Sequence, residues 1–152
     1  MIIRQGRRTD IDEIADIYQD SISILCKQDY PAEVIALWQS STPKEARLKL
    51  IEAGSLYVAD YNGRIGGYLV AVPAEIIALF VGSSYAGLGL GKKLALHGIE
   101  IAQQTPSGKI TLESTLTAAG FYQKLGFKTV GRGYFSHGTS EFKIPIVNMV
   151  ME

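Results

Sequence analysis

The run Gly87-Leu88-Gly89-Leu90-Gly91-Lys92 constrains this 152-residue chain more than any other, because of what stands on either side of it. Before it lies an apolar, β-forming segment from Glu75 to Val81. After it, Leu90, Leu94, Gly98 and Ala102 recur at the spacing that lines one face of a helix reaching about Gln104. The order is strand, glycine loop, helix. Glycines let the backbone pass close to a ligand. The amides of a helix's first turn have no carbonyl to bond and point outward, an anion site that suits a phosphate or pyrophosphate. Lys92 and Lys93, just inside the helix, either add charge to that site or simply solvate the surface. The plain alternative is a tight strand-to-helix turn, for which one glycine would suffice.

Around this unit the periodicity predicts three helices ahead of the sheet. The first starts at Thr9, with Thr9 and Asp12 as a capping box and Ile11, Ile14, Ile17, Tyr18, Ile22 and Leu25 on one face. Pro31 opens the second, which carries Val34, Ile35 and Trp38. Thr42-Pro43-Lys44-Glu45 opens the third, which passes Leu48 and Ile51 and ends at Gly54. Strands follow at Ser55 to Tyr61 and Arg64 to Val72, joined by Asn62-Gly63, a strong hairpin signal. Beyond the glycine-loop helix come a turn at Thr105 to Gly108, a strand at Lys109 to Ser114 and a short helix at Ala118 to Leu125, stopped by Gly126. Strands at Phe127 to Arg132 and Phe142 to Met151 complete the chain. No repeat or linker divides these elements. The expected fold is one α/β (α+β) domain over residues 1–152, with helices flanking a mixed, mostly antiparallel central sheet.

Fifteen Lys and Arg balance fifteen Asp and Glu, so there is no field to gather phosphate backbones or anionic lipid, and nucleic acid and membrane are excluded as partners. The lone Cys26 forms no internal disulfide, and His97 and His137 are too far apart in sequence to suggest a metal cluster. Met1-Ile2-Ile3 runs straight into Arg4, Arg7 and Arg8, without the apolar core of a secretory signal. A reduced, metal-free, cytoplasmic protein is expected.

Spacing narrows the phosphate ligand. A P-loop would need glycine where Ala86 stands and Ser or Thr where Lys93 stands. The dinucleotide fingerprint fails at Lys92 when counted from Gly87 and at Leu94 when counted from Gly89, although Glu113 stands at the distance of a ribose acid. ATP and NAD remain the weaker alternatives.

Leu79-Phe80-Val81, followed after three residues by Tyr85-Ala86-Gly87-Leu88-Gly89-Leu90-Gly91-Lys92-Lys93-Leu94, resembles the acyl-CoA signature of the GNAT N-acetyltransferase superfamily, Gln/Arg-x-x-Gly-x-Gly/Ala, with its preceding strand. Ala118-Ala119-Gly120-Phe121-Tyr122-Gln123-Lys124-Leu125-Gly126-Phe127 is similar to that family's Ala-x-x-Phe-Tyr-x-x-x-Gly-Phe segment. Ile3-Arg4, Asp10 and Ile17-Tyr18 fit its opening. Tyr30-Pro31, Ile35 and Trp38 are similar to a segment of some bacterial members.

The resemblance implies a transferase that moves an acetyl or short acyl group from acetyl-CoA to a primary amine, on a small molecule or a peptide, by direct attack. It implies that the backbone of Leu79, Phe80 and Val81 pairs with the pantetheine arm like an added strand. The loop Ala86, Gly87, Leu88, Gly89, Leu90, Gly91 and Lys92 would hold the pyrophosphate. Ala86 departs from the usual Gln or Arg, but the amides after it carry the contact. Ser114 or Thr117 would supply a hydroxyl where the family has Asn. Tyr122 falls at the sulfur as general acid, and its phenol is protonated at neutral pH.

Glu75 is the candidate base, with Glu113 behind it, and acceptors that arrive neutral need none. His137 reads as a surface residue, His97 as a helix-surface or partly buried one, and Cys26 as a packed thiol. Acceptor choice falls to Cys26 to Thr42, with Tyr30 and Trp38 as an apolar or cation-binding wall or as plain core, and to Gly131 to Phe142. The alternative on the same fold is a CoA-binding sensor without turnover. Homodimerisation through sheet edges or the last strand is compatible with the family.

Overall fold

A computed structural model describes residues 1–40, 43–137 and 143–152. Its seven strands form one sheet in the order β1-β2-β3-β4-β5-β7-β6: β1 (Ile2–Gln5), β2 (Leu56–Tyr61), β3 (Arg64–Val72), β4 (Glu75–Val81), β5 (Ile110–Thr115), β6 (Lys128–Tyr134) and β7 (Pro145–Met151). The hairpin forms as predicted, with Asn62 and Gly63 at φ of 54° and 94° and the Asp60 carboxylate accepting the Gly63 amide at 2.6 Å. Every pairing is antiparallel except β4 with β5.

Alternation along the strands sends side chains into two cores. On one face Leu56, Val58, Tyr68 and Val70 pack against α1 (Ile11–Asp20), α2 (Ala32–Gln39) and α3 (Lys44–Glu52). On the other, Leu69, Ile76, Ile110 and Leu112 pack against α4 (Leu90–Ala102) and α5 (Ala119–Lys124). The central strand β3 is buried from Ile65 to Ala71, as a strand covered on both faces must be. Gly98 lets α4 lie close on the sheet, since a Cβ there would stand 3.0 Å from Leu69 and 3.2 Å from Ile76.

Several boundaries differ from the sequence reading. β1 was not foreseen: its four residues, one of them Arg4, carry too little alternation to register as a strand. Thr9 and Asp12 do not cap the first helix, which starts behind a 3-10 turn (Arg8–Asp10); the Asp10 carboxylate accepts the Arg7 amide at 2.8 Å and both terminal nitrogens of Arg4 at 2.8 and 3.0 Å. That helix is α-helical to Asp20 and continues to Leu25 as a single wider π turn. The last strand begins at Pro145, while the cap at Thr42 and the expected start at Phe142 lie outside the described residues.

Candidate active site

β4 and β5 pair only at Glu75–Thr111 and Ile76–Leu112. The cause lies on the other side of β4, where pairing with β3 jumps from Val70–Ala78 to Ala71–Ile76 and leaves Ile77 as an extra, bulged residue. A bulge bends its strand. Ile77 and Ala78 in consequence both pack against the α1–α2 core, and β4 leaves β5 as β5 goes on to pair with β7 up to Thr115–Ile146. From Ile77 to Val81 one edge of β4 is without a strand partner.

The opening has two parts that share Leu79, Phe80, Thr115 and Ala118. One is lined further by Trp38, Ile77, Ser114, Tyr122 and Phe135. The other runs beside Cys26, Val81, Gly91, Thr117 and Phe121 toward the glycine loop.

The loop is fixed at its start and open at its crest. The Gly82 amide donates to Gly66 O at 2.9 Å, and the carboxylate of Asp20, the last residue of α1, accepts the Ser83 amide at 2.5 Å and the Ser83 hydroxyl at 2.9 Å. The Ala86 amide turns inward to Ser83 O at 3.3 Å, so the free run starts after it. Gly87 and Gly89 sit at φ of 78° and 80°, and a Cβ on either would meet nothing within 4 Å. Those two positions need glycine for their backbone. Gly91 does not: it is helical, and a Cβ there would touch Phe121 and Val81 at an ordinary 3.7 Å. No side chain caps α4, which leaves the amides of Leu90, Gly91 and Lys92 facing the open space above the loop.

Tyr122 is 6% exposed, held edge-on by Phe121 at 5.1 Å and Phe127 at 5.7 Å. Burial pushes its phenol pKa upward, so the proton stays on the oxygen, and no described residue hydrogen-bonds that hydroxyl. Ser114 is buried and donates to Thr115 O at 2.7 Å, and Thr117 donates to Asp29 at 2.8 Å. Burial raises the Cys26 thiol, against a smaller lowering by Thr117, which keeps it a thiol rather than a nucleophilic thiolate.

Tyr30 and Trp38 belong to the core, at 4% and 2% exposure, so Tyr30 is no wall for an acceptor. Its hydroxyl donates to Pro145 O at 2.6 Å and accepts the Leu116 amide at 3.0 Å, clamping the segment after α1 onto β7 and the start of the α5 turn. Burial pushes that phenol up to about 12. Trp38 has both roles, buried and lining the cleft. His97 packs edge-on to Tyr57 at 4.9 Å. His137 is exposed, as expected of a surface residue, and its Nε2 lies 2.7 Å from Glu75 Oε2.

Residues 26–152 match the model of the acetyltransferase (GNAT) domain. The chain belongs to the GNAT acetyltransferase family. Peptidyl-lysine N-acetyltransferase YjaB of Salmonella typhimurium is 28% identical over 133 residues, 86% of this chain and 85% of that protein. A GCN5-related N-acetyltransferase from Rhodopseudomonas palustris superposes with a TM-score of 0.87 at 24% identity, covering 99% of this chain and 94% of that one. PaiA N-acetyltransferase from Thermoplasma acidophilum, solved in complex with coenzyme A, superposes with a TM-score of 0.75 at 20% identity over 99% and 98% of the two chains.

This GNAT protein is thus an acyltransferase, and none of its described helices is long and apolar enough to cross a membrane. Its fold brings Leu79, Phe80, Val81, Gly91, Ser114, Thr117 and Tyr122 to the one opening. Glu75 stands outside that lining, at the closed end where the strands still pair. Asp20, the Ile77 bulge and the Tyr30 clamp escaped the sequence reading. Asp20 and Ser83 are 63 residues apart, and neither a bulge nor a long-range clamp leaves a local pattern.

Proposed function

We propose that residues 1–152 of this GNAT enzyme act as one domain that transfers an acetyl or short acyl group from coenzyme A to a primary amine, with Tyr122 as general acid. The observation that carries the reading is the opening made where β4 leaves β5, with a buried, protonated Tyr122 in its lining and an uncapped helix behind two left-handed glycines at its head. The residues fit coenzyme A on their own geometry. The free edge of β4 from Ile77 to Val81 suits an extended amide-bearing arm. The amides from Gly87 to Lys92 suit a pyrophosphate. Ala86 contributes only as the loop's inward turn.

The bound thioester supplies the acyl group and a thiolate leaving group. Tyr122 gives its proton to that sulfur: burial holds the proton on the phenol more tightly, and the same apolar surroundings make the developing thiolate a stronger acceptor for it. The Ser114 hydroxyl and the Thr117 hydroxyl line the arm's path. Glu75 takes the proton that the amine sheds, directly or through water. The raised Cys26 thiol argues against an acyl-cysteine step, which leaves direct attack by the amine. The primary amine is a lysine side chain or a small molecule, and YjaB makes a lysine peptide the first acceptor to try.

The test follows release of free coenzyme A from acetyl-CoA with a blocked lysine peptide and a panel of small amines. Tyr122→Phe lowers turnover roughly ten- to a thousandfold, around the lower part of the general-acid range, with acetyl-CoA affinity retained. An unchanged rate removes Tyr122 from the chemistry. Binding without turnover across the panel would make the protein a coenzyme A sensor instead.

A further inference from the structure

Phe135, Ser136 and His137 follow β6 and form a strap at the end of the cleft away from the glycine loop, each tied to a different strand or loop. The Phe135 amide donates to Ile144 O at 2.9 Å, and its ring lines the cleft. The Ser136 amide donates to Glu113 Oε1 on β5 at 3.0 Å. His137 Nε2 meets Glu75 Oε2 on β4 at 2.7 Å. Ile76 and Leu112 point into the α4 core, so their neighbours Glu75 and Glu113 project from the opposite face, the one that carries Trp38, Ile77 and Phe135. Glu113 lines the cleft and Glu75 lines the groove that adjoins it, so the strap holds both carboxylates at the end of the cleft away from the glycine loop. Among the described residues, Lys109 and Glu152 are the other charged groups in the groove beside Glu75 and Glu113.

We propose that His137 is a positioning residue for proton removal from the acceptor: its Nε2–H holds one oxygen of Glu75 and leaves the other to receive the amine's proton. The inference rests on the acyl-transfer reading above. In the step it serves, the amine nitrogen bonds to the thioester carbonyl carbon and the carbon–sulfur bond breaks. The sulfur keeps that electron pair and takes the Tyr122 proton, and the surplus proton on nitrogen passes to Glu75. Nothing is oxidised or reduced. The pair's side chains are 34% and 29% exposed, and a polar contact that open contributes little to stability, so its geometry is not explained by a need to hold the fold. A carboxylate held by a single donor on one oxygen is instead oriented, with its second oxygen left to accept.

The experiment is a double-mutant cycle of Glu75→Gln and His137→Ala, with His137→Gln as the conservative variant, measuring kcat and KM on a blocked lysine peptide, spermidine and phenethylamine, with melting temperatures alongside. His137→Ala is expected to lower kcat about five- to fiftyfold with the KM for acetyl-CoA unchanged, and to have less than about a twofold effect once Glu75→Gln is present. His137→Gln keeps a donor nitrogen within reach of Glu75 and is expected to restore most of the loss, which also covers the case in which the alanine variant folds poorly. An equal loss from His137→Ala in both backgrounds, with an active wild type, would show that His137 only holds the strap and would overturn this assignment alone. A wild type that binds acetyl-CoA but acylates none of the three amines would overturn the transfer reading and this inference together.

Discussion

Gly67 offers a prediction whose size follows from the packing. It sits in β3 opposite Val81, and a Cβ added there would lie 2.8 Å from the Phe80 carbonyl oxygen and 3.0 Å from Leu94 Cδ1. The first is strand backbone and the second belongs to a fully buried side chain, so neither swings aside. Overpacking of this kind costs about 1–3 kcal/mol. For a chain of this length each kcal/mol moves the melting temperature by about 2–4 °C, so Gly67→Ala lowers it by about 2–12 °C. The displaced group is the backbone of β4 at Phe80, so acetyl-CoA binding weakens as well.

Gly120 is the internal control. It is helical and exposed, and a Cβ there meets nothing within 4 Å. Gly120→Ala therefore stabilises by about 0.4–1 kcal/mol, chiefly by restricting the unfolded chain. Thermal unfolding of the two variants beside the wild type reads both. Equal shifts, or a Gly67→Ala protein as stable as the wild type, would refute the argument from Cβ contacts.

Two further predictions concern titratable groups. Burial raises the Asp10 carboxyl, but Arg4 and the Arg7 amide outweigh it and hold the group below its ordinary value. A depressed carboxyl stabilises the fold above its unfolded pKa and loses that contribution as pH falls through the folded value. Asp10→Asn is thus less stable by about 1–3 kcal/mol at neutral pH, and the gap closes below about pH 4; urea titrations across pH check this, and a gap constant into strong acid contradicts it. The raised Cys26 thiol predicts slow alkylation of the folded protein at neutral pH and acetyl transfer by Cys26→Ala within about threefold of wild type, whereas loss of activity would reopen a covalent route.

The elements nearest the active site were the most legible in the sequence, because each rests on local chemistry. Asn62-Gly63 fixes a hairpin by its φ values, and Gly87 and Gly89 carry the loop for the same reason. Tyr122 was found by its motif and proves buried. The edge strand β1 was missed because Ile2–Gln5 has no pattern of its own and is a strand only through pairing with β2. The free edge of β4 was implied by the family resemblance, but its cause was not legible, because it stems from one bulged residue, Ile77, whose role depends on register across β3. The contacts of Tyr30 and His137 were not legible for one reason: their partners, Pro145, Leu116 and Glu75, are 62 to 115 residues away. Side chains that act across the fold are ordinary in sequence.

The central claim is that the loop from Gly87 to Lys92 and the free edge of β4 take coenzyme A, and thermal unfolding with separate additions of acetyl-CoA, NAD and ATP tests it most directly. At roughly a hundred times its dissociation constant a ligand adds about 2.7 kcal/mol, or about 5–10 °C for a domain of this size. A rise of that order with acetyl-CoA, and none with NAD or ATP, is the predicted result. No rise with acetyl-CoA, or a rise with NAD or ATP alone, would contradict the account.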